Sequence, residues 1–395
     1  MSKVLVESPE DQNQTPFLRG ILTRSLQKSG LTFEQAHDIA NAIRDEIGDR
    51  PLVTTYDIEH LVVKHLKKAK ADHAVSLYEN RSMPYMLQVE TDNGQFSAFS
   101  PARYRTDLEA IGLTSDEALS IVDELSLHLL RRNKPDVTSN YIAKVTYRLL
   151  RKSKDLGKKV AHRWLVWRDF IHSGRPLVFL IGGTAGSGKS TIATGIASRL
   201  EIARMQSTDM LREVMRTMIS KKAEPILHKS SYSAWQELPD EILETEDKGQ
   251  RIYIGYCKQA EILSVAIRAV IERALHERVS VIVEGVHFHP SIIKDIIDPG
   301  EALVVPVMLA VLKRKQLQTR IKGRGTDVPQ RRAARYLEHF ESIWKLQSFL
   351  LSEADQTDVP IISNIDRDDV FREIMLYTIA RLSSEFDKTP EQVFD

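Results

Sequence analysis

The residues most able to do chemistry are Gly183-Thr184-Ala185-Gly186-Ser187-Gly188-Lys189-Ser190-Thr191, which match G-x-x-x-x-G-K-[ST] at every fixed position. The pattern follows an apolar run, PLVFLIGG from Pro176, and precedes a helical pattern over Thr191–Leu200. Strand, glycine loop and helix in that order are the context in which this motif holds a phosphate. Gly183, Gly186 and Gly188 let the backbone curl so that successive N–H groups face one anion. The helix that follows adds its positive N-terminal end. Lys189 is expected to contact the β- and γ-phosphates and Ser190 to ligate Mg²⁺, so the chemistry implied is ATP binding for phosphoryl transfer.

Three further segments carry charge where an acceptor could be handled. Ser207-Thr-Asp209-Met-Leu-Arg212-Glu-Val-Met-Arg216 falls where a second strand would end and a helix begin. Asp209 could orient or deprotonate an acceptor hydroxyl. Arg212 and Arg216, four apart on one helix face, could hold a phosphate or carboxylate. The plainer alternative is a helix cap and a solvated face. Ile282-Val-Glu284-Gly-Val-His287-Phe-His289 ends another strand with an acid. Glu284 is expected to assist Mg²⁺ or contact substrate, and His287 to contact substrate. No third ligand accompanies the two histidines, which argues against a transition-metal site. Arg320-Ile-Lys322-Gly323-Arg324-Gly325 mixes basic residues with glycine and reads as a mobile lid closing over phosphates. His228–Trp235 reads as a polar loop.

These residues need elements to position them. Apolar runs near 176–182, 279–288, 302–312 and 359–364, separated by helical patterns, argue for a parallel sheet covered on both faces. Upstream the grammar differs, because residues 17–66 and 99–150 repeat one another. Leu26 matches Leu108, and Gly30-Leu-Thr32 matches Gly112-Leu-Thr114. Ala36 and Ile39 match Ala118 and Ile121, and Pro51-x-Val-Thr54 matches Pro135-x-Val-Thr138. Each copy reads as three helices, with Thr32 and Thr114 as N-caps and the Val-Thr steps as starts of a third helix. Met86–Phe96 reads as a hairpin turning at Asn93-Gly94, with a cruder strand at Val4–Val6. Arg151–Arg175 is a basic, Trp-bearing segment, read as an amphipathic connector or, in the sharper alternative, an anion-binding surface.

Composition bounds the rest. A chain of 395 residues, 42% apolar and 28% charged, suits a packed soluble fold of two or three domains. A net charge of +1 gives no global attraction to nucleic acid or acidic membranes. The single cysteine, Cys257, forbids an intramolecular disulfide, and no secretory signal opens the sequence. A cytoplasmic protein is expected, with no nucleic-acid or membrane partner; a homo-oligomer is compatible with the sequence.

Several of these stretches together resemble the 2-phosphoglycerate kinase family: GGTAGSGKST at 182–191, STDMLREVMR at 207–216, LHKSSYSAW at 227–235, ERALHERVSVIVEGVHFHP at 272–290 and RYLEHFESIWKLQSFLLSEA at 335–354. The N-terminal repeats are similar to the ATP-cone, a small helical nucleotide-binding module. The resemblance implies an α/β P-loop kinase domain at 176–395, modules at 1–80 and 81–150, and a connector at 151–175. It implies ATP-dependent phosphorylation of 2-phosphoglycerate to 2,3-bisphosphoglycerate. Lys189, Asp209, Arg320 and Arg324 would form the catalytic set. Arg212, Arg216, Lys229, Ser230 and His287 would join Asp209 on the anionic acceptor. Kinases of the same shape for a sugar or inositol phosphate, or a nucleotide-sensing protein without turnover, remain open alternatives.

Overall fold

The computed structural model describes residues 4–7, 14–27, 29, 31–48, 50–69, 71, 74–75, 78, 87–91, 94–131, 136–290, 301–323 and 331–394. The chain divides into two compact units. Unit 1 holds the described residues up to Tyr104, then Leu119–Lys152 and Phe394; unit 2 holds Arg105–Ala118 and Ser153–Val393.

The two copies of the repeat build the same small motif. The first consists of β1 (Leu5–Glu7), β2 (Gln14–Pro16), α1 (Arg19–Gln27), α2 (Phe33–Ile47), β3 (Leu52–Thr54) and α3 (Thr55–Lys68). The second consists of β4 (Gln88–Glu90), β5 (Phe96–Ala98), α4 (Pro101–Ala110), α5 (Ser115–Arg131), β6 (Asp136–Thr138) and α6 (Ser139–Lys152). In each, the first strand pairs antiparallel with the second and parallel with the third. The three expected helices are present. The Val-Thr steps open the third helix, as expected, and also end a third strand that was not expected. Thr54 does both jobs: it closes β3 and caps α3, its hydroxyl accepting the Asp57 N–H at 3.1 Å while Asp57 accepts the Thr54 N–H at 3.0 Å. Thr32 makes the equivalent reciprocal pair with Gln35, and Thr114 with Glu117. Leu26, Ile43, Val53 and Leu66 form the core of the first copy; Phe99, Leu125, Val137 and Ile142 form that of the second.

In unit 2, α7 (Gly157–Ser173) is a core helix: Trp164, Trp167 and Phe170 are buried. The sheet of this unit contains β7 (Leu177–Gly182), β8 (Arg204–Ser207), β9 (Val281–Gly285), β10 (Leu303–Ala310) and β11 (Ile361–Ser363), all parallel in the order β11-β10-β7-β9-β8. Every residue of β7 and β9 is buried, which explains their unbroken apolar sequence. The edge strand β8, Arg-Met-Gln-Ser, is only partly covered and carries no such signature.

The helices are α8 (Lys189–Arg199), α9 (Thr208–Met218), α10 (Asp240–Thr245), α11 (Lys248–His276), α12 (Arg314–Gly323), α13 (Arg331–Glu338), α14 (Phe340–Gln356), α15 (Arg367–Leu382) and α16 (Pro390–Phe394). Leu263, Ile267 and Ile271 of α11 pack against Val178, Leu180, Val281 and Val283 of the sheet. Ile252 and Tyr256 of α11 meet Leu346 and Leu350 of α14 over Met308. Among the described residues no helix is long and apolar enough to cross a membrane.

Candidate active site

The parallel register brings three chain segments to one edge of the sheet. Glu284 stands opposite both Ile181 of β7 and Ser207 of β8. The glycine loop, Glu284 and the start of α9 therefore emerge side by side at the carboxyl ends of the strands, where open α/β sheets bind ligands.

The glycine loop has the curl its sequence requires. Gly183, Gly186 and Gly188 all have positive φ, at 139°, 88° and 90°. Lys189 is buried, and its ammonium donates to the Thr184 carbonyl at 3.0 Å. Thr184 and Ser187 are buried, and their hydroxyls have no hydrogen-bond partner among the described residues. Two buried hydroxyls, a buried ammonium and a helix N-terminus form a donor set that fits a polyphosphate. Ser190 donates to Glu284 at 2.9 Å, and Glu284 is itself buried. A hydroxyl and a carboxylate, both hard oxygen ligands, fit a Mg²⁺ ion that completes its shell with phosphate and water. No cluster of three His, Cys, Asp or Glu residues able to cage a metal occurs among the described residues.

Asp209, the second residue of α9, is 65% exposed and makes a 3.8 Å ion pair with Arg212. Arg212 is tied down: it donates to the carbonyls of Leu227 and Lys229, at 3.4 and 3.1 Å, and to Glu213. Arg216 shares Glu213 at 3.1 Å. Lys229 is paired with Glu237 at 3.2 Å. The arginines and Lys229 therefore surround the expected acceptor region but arrive with partners of their own. Thr208 approaches β9 closely enough that a side chain at Gly285 would overlap its hydroxyl.

His287, expected as a substrate contact, has a different environment. It is buried, with Nδ1 2.9 Å from the Thr208 hydroxyl and Nε2 3.0 Å from Oε1 of Gln259. Burial pushes its pKa down to about 4 and keeps the ring neutral. Both ring nitrogens are engaged within the protein, so this geometry leaves neither for a ligand. His289 is likewise engaged, by Tyr253 at 3.1 Å and Glu353 at 3.8 Å. Cys257 lies half-buried on α11, where burial pushes its thiol up to about 11 and leaves it a poor nucleophile.

The expected lid also differs. Residues 320–323 belong to α12 rather than to a glycine loop, while Arg324 lies outside the described residues. The apolar stripe Leu317 and Ile321 docks α12 on the glycine loop so closely that a side chain at Gly186 would strike both. Arg320 is thereby held beside the loop, donating to the Asn364 carbonyl at 2.6 Å. Asn364 in turn donates from Nδ2 to the Ser187 carbonyl at 2.7 Å, bracing the loop from behind. Across the acceptor region, Ser230 accepts a 3.4 Å hydrogen bond from Arg335 of α13. Tyr232 packs at 5.9 Å against Tyr336 and at 5.2 Å against His339. Asn364, Arg335 and Gln259 were given no role by the sequence reading, although Arg335 opens the stretch at 335–354 and Asn364 closes the apolar run at 359–364, because each acts on a residue far away in the chain.

Sheet order, glycine loop and buried lysine together define a phosphotransferase of the P-loop kinase class. No family model matches the chain. Among curated proteins, the 2-phosphoglycerate kinase of Pyrococcus furiosus is 34% identical over 287 residues, spanning 73% of this chain and 91% of its own. Those of Methanothermobacter thermautotrophicus and Methanocaldococcus jannaschii are 33% and 34% identical over 71% and 68% of this chain, covering 90% and 83% of their own. The chain belongs to the 2-phosphoglycerate kinase family. Among solved structures, a gluconokinase from Sinorhizobium meliloti 1021 aligns over 53% of this chain at 18% identity, with a TM-score of 0.32.

Proposed function

We propose that the protein transfers the γ-phosphoryl group of ATP to the free hydroxyl of 2-phosphoglycerate, giving 2,3-bisphosphoglycerate and ADP. One observation carries the reading: Lys189 and Ser190 after β7, Asp209 after β8 and Glu284 at the end of β9 converge at one sheet edge. Membership of the 2-phosphoglycerate kinase family supports the choice of acceptor.

Lys189 and the glycine-loop N–H groups hold the donor phosphates, with the Thr184 and Ser187 hydroxyls as further donors. Ser190 and Glu284 would hold Mg²⁺, which when bound neutralises charge on the β- and γ-phosphates. Asp209 accepts the proton of the attacking hydroxyl. The new oxygen–phosphorus bond forms in line with the breaking bond to the ADP oxygen, and the leaving charge stays on ADP. Arg320, fixed beside the loop, and Arg324 offset charge on the transferring group. Arg212, Arg216, Lys229, Ser230 and Arg335 ring the acceptor, whose phosphate and carboxylate compete with Glu213 and Glu237 for the cations.

We read the N-terminal repeats as nucleotide-sensing modules of the ATP-cone kind. The first copy has an open cleft lined by Arg19, Arg24 and Arg44, with Phe33 stacked on His37 at 5.7 Å. Cations beside exposed rings suit an aromatic anion such as a nucleotide.

The decisive assay is ADP release from Mg·ATP with and without 2-phosphoglycerate, alongside Lys189→Ala. Acceptor-stimulated release and a new bisphosphate by phosphorus NMR are expected, and Lys189→Ala should abolish both. Turnover retained in Lys189→Ala, or stimulation only by sugar or inositol phosphates, would sink the assignment.

A further inference from the structure

Beneath the acceptor region runs a buried chain of polar side chains with no ligand role. Thr208, His287 and Gln259 are each at least 98% buried. Gln259 Nε2 donates to the carbonyls of Ile226 at 2.7 Å and Lys229 at 3.0 Å. Its Oε1 must therefore be the atom facing His287, and it accepts from the Nε2–H of that ring. In a neutral imidazole the other nitrogen is then an acceptor, so the Thr208 hydroxyl donates to Nδ1. Every proton in the chain has one position.

The chain links segments far apart in sequence. Thr208 opens α9 immediately before Asp209, and His287 follows β9. Gln259 lies on α11, and its two carbonyl partners bracket the loop that continues into Ser230 and Tyr232. The Lys229 carbonyl receives Gln259 and Arg212 together. Thr208, bonded to the ring, directly precedes Asp209, and Arg212 of the same helix shares the Lys229 carbonyl with Gln259, so the chain lies beside the residues proposed to handle the acceptor. A buried polar chain adds little stability over an apolar core of equal volume, but it fixes one arrangement of its partners.

We propose that Gln259 and His287 are positioning residues: they clamp the loop at 226–232 to the first turn of α9 and so set the distance between Asp209 and the acceptor's anionic contacts. The proposal rests on the acceptor assignment above, and its test separates the two. Gln259→Leu removes both donors and the acceptor. The KM for 2-phosphoglycerate should rise about tenfold, from two lost hydrogen bonds, while that for ATP stays within about twofold. Gln259→Glu keeps an acceptor for His287 but loses both donors to the loop; it should raise the acceptor KM similarly and guards against a folding failure in the leucine variant.

Ring-¹⁵N histidine NMR, with the His287 signal assigned by its loss in His287→Gln, needs no acceptor. A single Nε2–H tautomer in the wild type and in Gln259→Glu, becoming mixed in Gln259→Leu, is expected and supports the clamp even if 2-phosphoglycerate gives no turnover. A tautomer indifferent to residue 259 overturns the clamp even where 2-phosphoglycerate is phosphorylated. An acceptor KM unchanged in both variants, or a KM for ATP that rises equally, overturns the positioning role.

Discussion

His287 is held neutral by burial, with its charged form costly inside the fold, and this has a measurable thermodynamic consequence. The folded ring titrates at about 4 and the unfolded ring near its ordinary 6.5. Between those values the unfolded chain binds a proton that the folded chain refuses. Stability is therefore full above pH 6.5 and falls as the pH drops through the window, by about 3 kcal/mol in total. Urea unfolding at pH 7.5 and pH 4.5 should show this loss in the wild type. His287→Gln, which has no titrating ring, should lose that much less over the same interval. His289, also pushed down by burial, contributes to both proteins and cancels in the comparison. Equal acid sensitivity in the two proteins would show that the ring is not held neutral. The sequence placed His287 close to the chemistry but assigned it to the substrate. A histidine three residues beyond a strand-end acid looks alike in sequence whether it faces the ligand or the core, and only Gln259, 28 positions upstream, decides between them.

At the scale of elements, two segments that follow β10 reach the proposed site, one at the glycine loop and one at the loop around Ser230. α12 docks through Leu317 and Ile321 on the glycine loop, and α13 reaches the opposite loop through Arg335, Tyr336 and the neighbouring His339. Arg335 is exposed and, among the described residues, its side chain makes one long hydrogen bond, to a neutral serine. A substrate phosphate or carboxylate at Ser230 would give it a far stronger partner. Arg335→Ala should raise the KM for 2-phosphoglycerate about tenfold or more, as expected for one lost charge-assisted hydrogen bond, with the KM for ATP unchanged. Steady-state kinetics with each substrate varied in turn reads this directly; an effect on ATP alone would move Arg335 to the donor side.

The same elements show what was legible beforehand. The glycine loop could be read because its function resides in consecutive backbone positions. The buried strands could be read because both faces demand apolar residues. The edge strand β8 could be read only by its place after the first helix, where its end at Ser207 was expected, and the helical character of residues 320–323 could not be read. Exposure frees β8 from the apolar pattern, and in α12 the glycine at 323 masked the stripe at 317 and 321. The third strand of each repeat was missed for a related reason. Three residues ending on the threonine that caps the next helix leave no room for an alternation to register.

At the scale of the whole molecule, a net charge of +1 means that neither nucleotide nor acceptor is drawn in by a general field. Affinity has to come from local cations, and these lie in two units that each possess an apolar core. Ligand binding should therefore register unit by unit. Scanning calorimetry of the full chain is expected to resolve two transitions. Saturation at about a hundredfold over Kd stabilises a binding unit by about 2.7 kcal/mol, enough to raise its transition by several degrees. Mg·ATP should move the transition of unit 2, and Lys189→Ala should erase that movement because the buried ammonium and its glycine loop form the donor site. If the cleft of the first repeat takes nucleotide as well, the transition of unit 1 will move with ATP in wild type and Lys189→Ala alike. Arg24→Ala should then remove that second shift while leaving the first. A single transition that ATP moves equally in Lys189→Ala and in wild type would contradict the glycine-loop assignment, since binding away from that loop would then account for the whole shift.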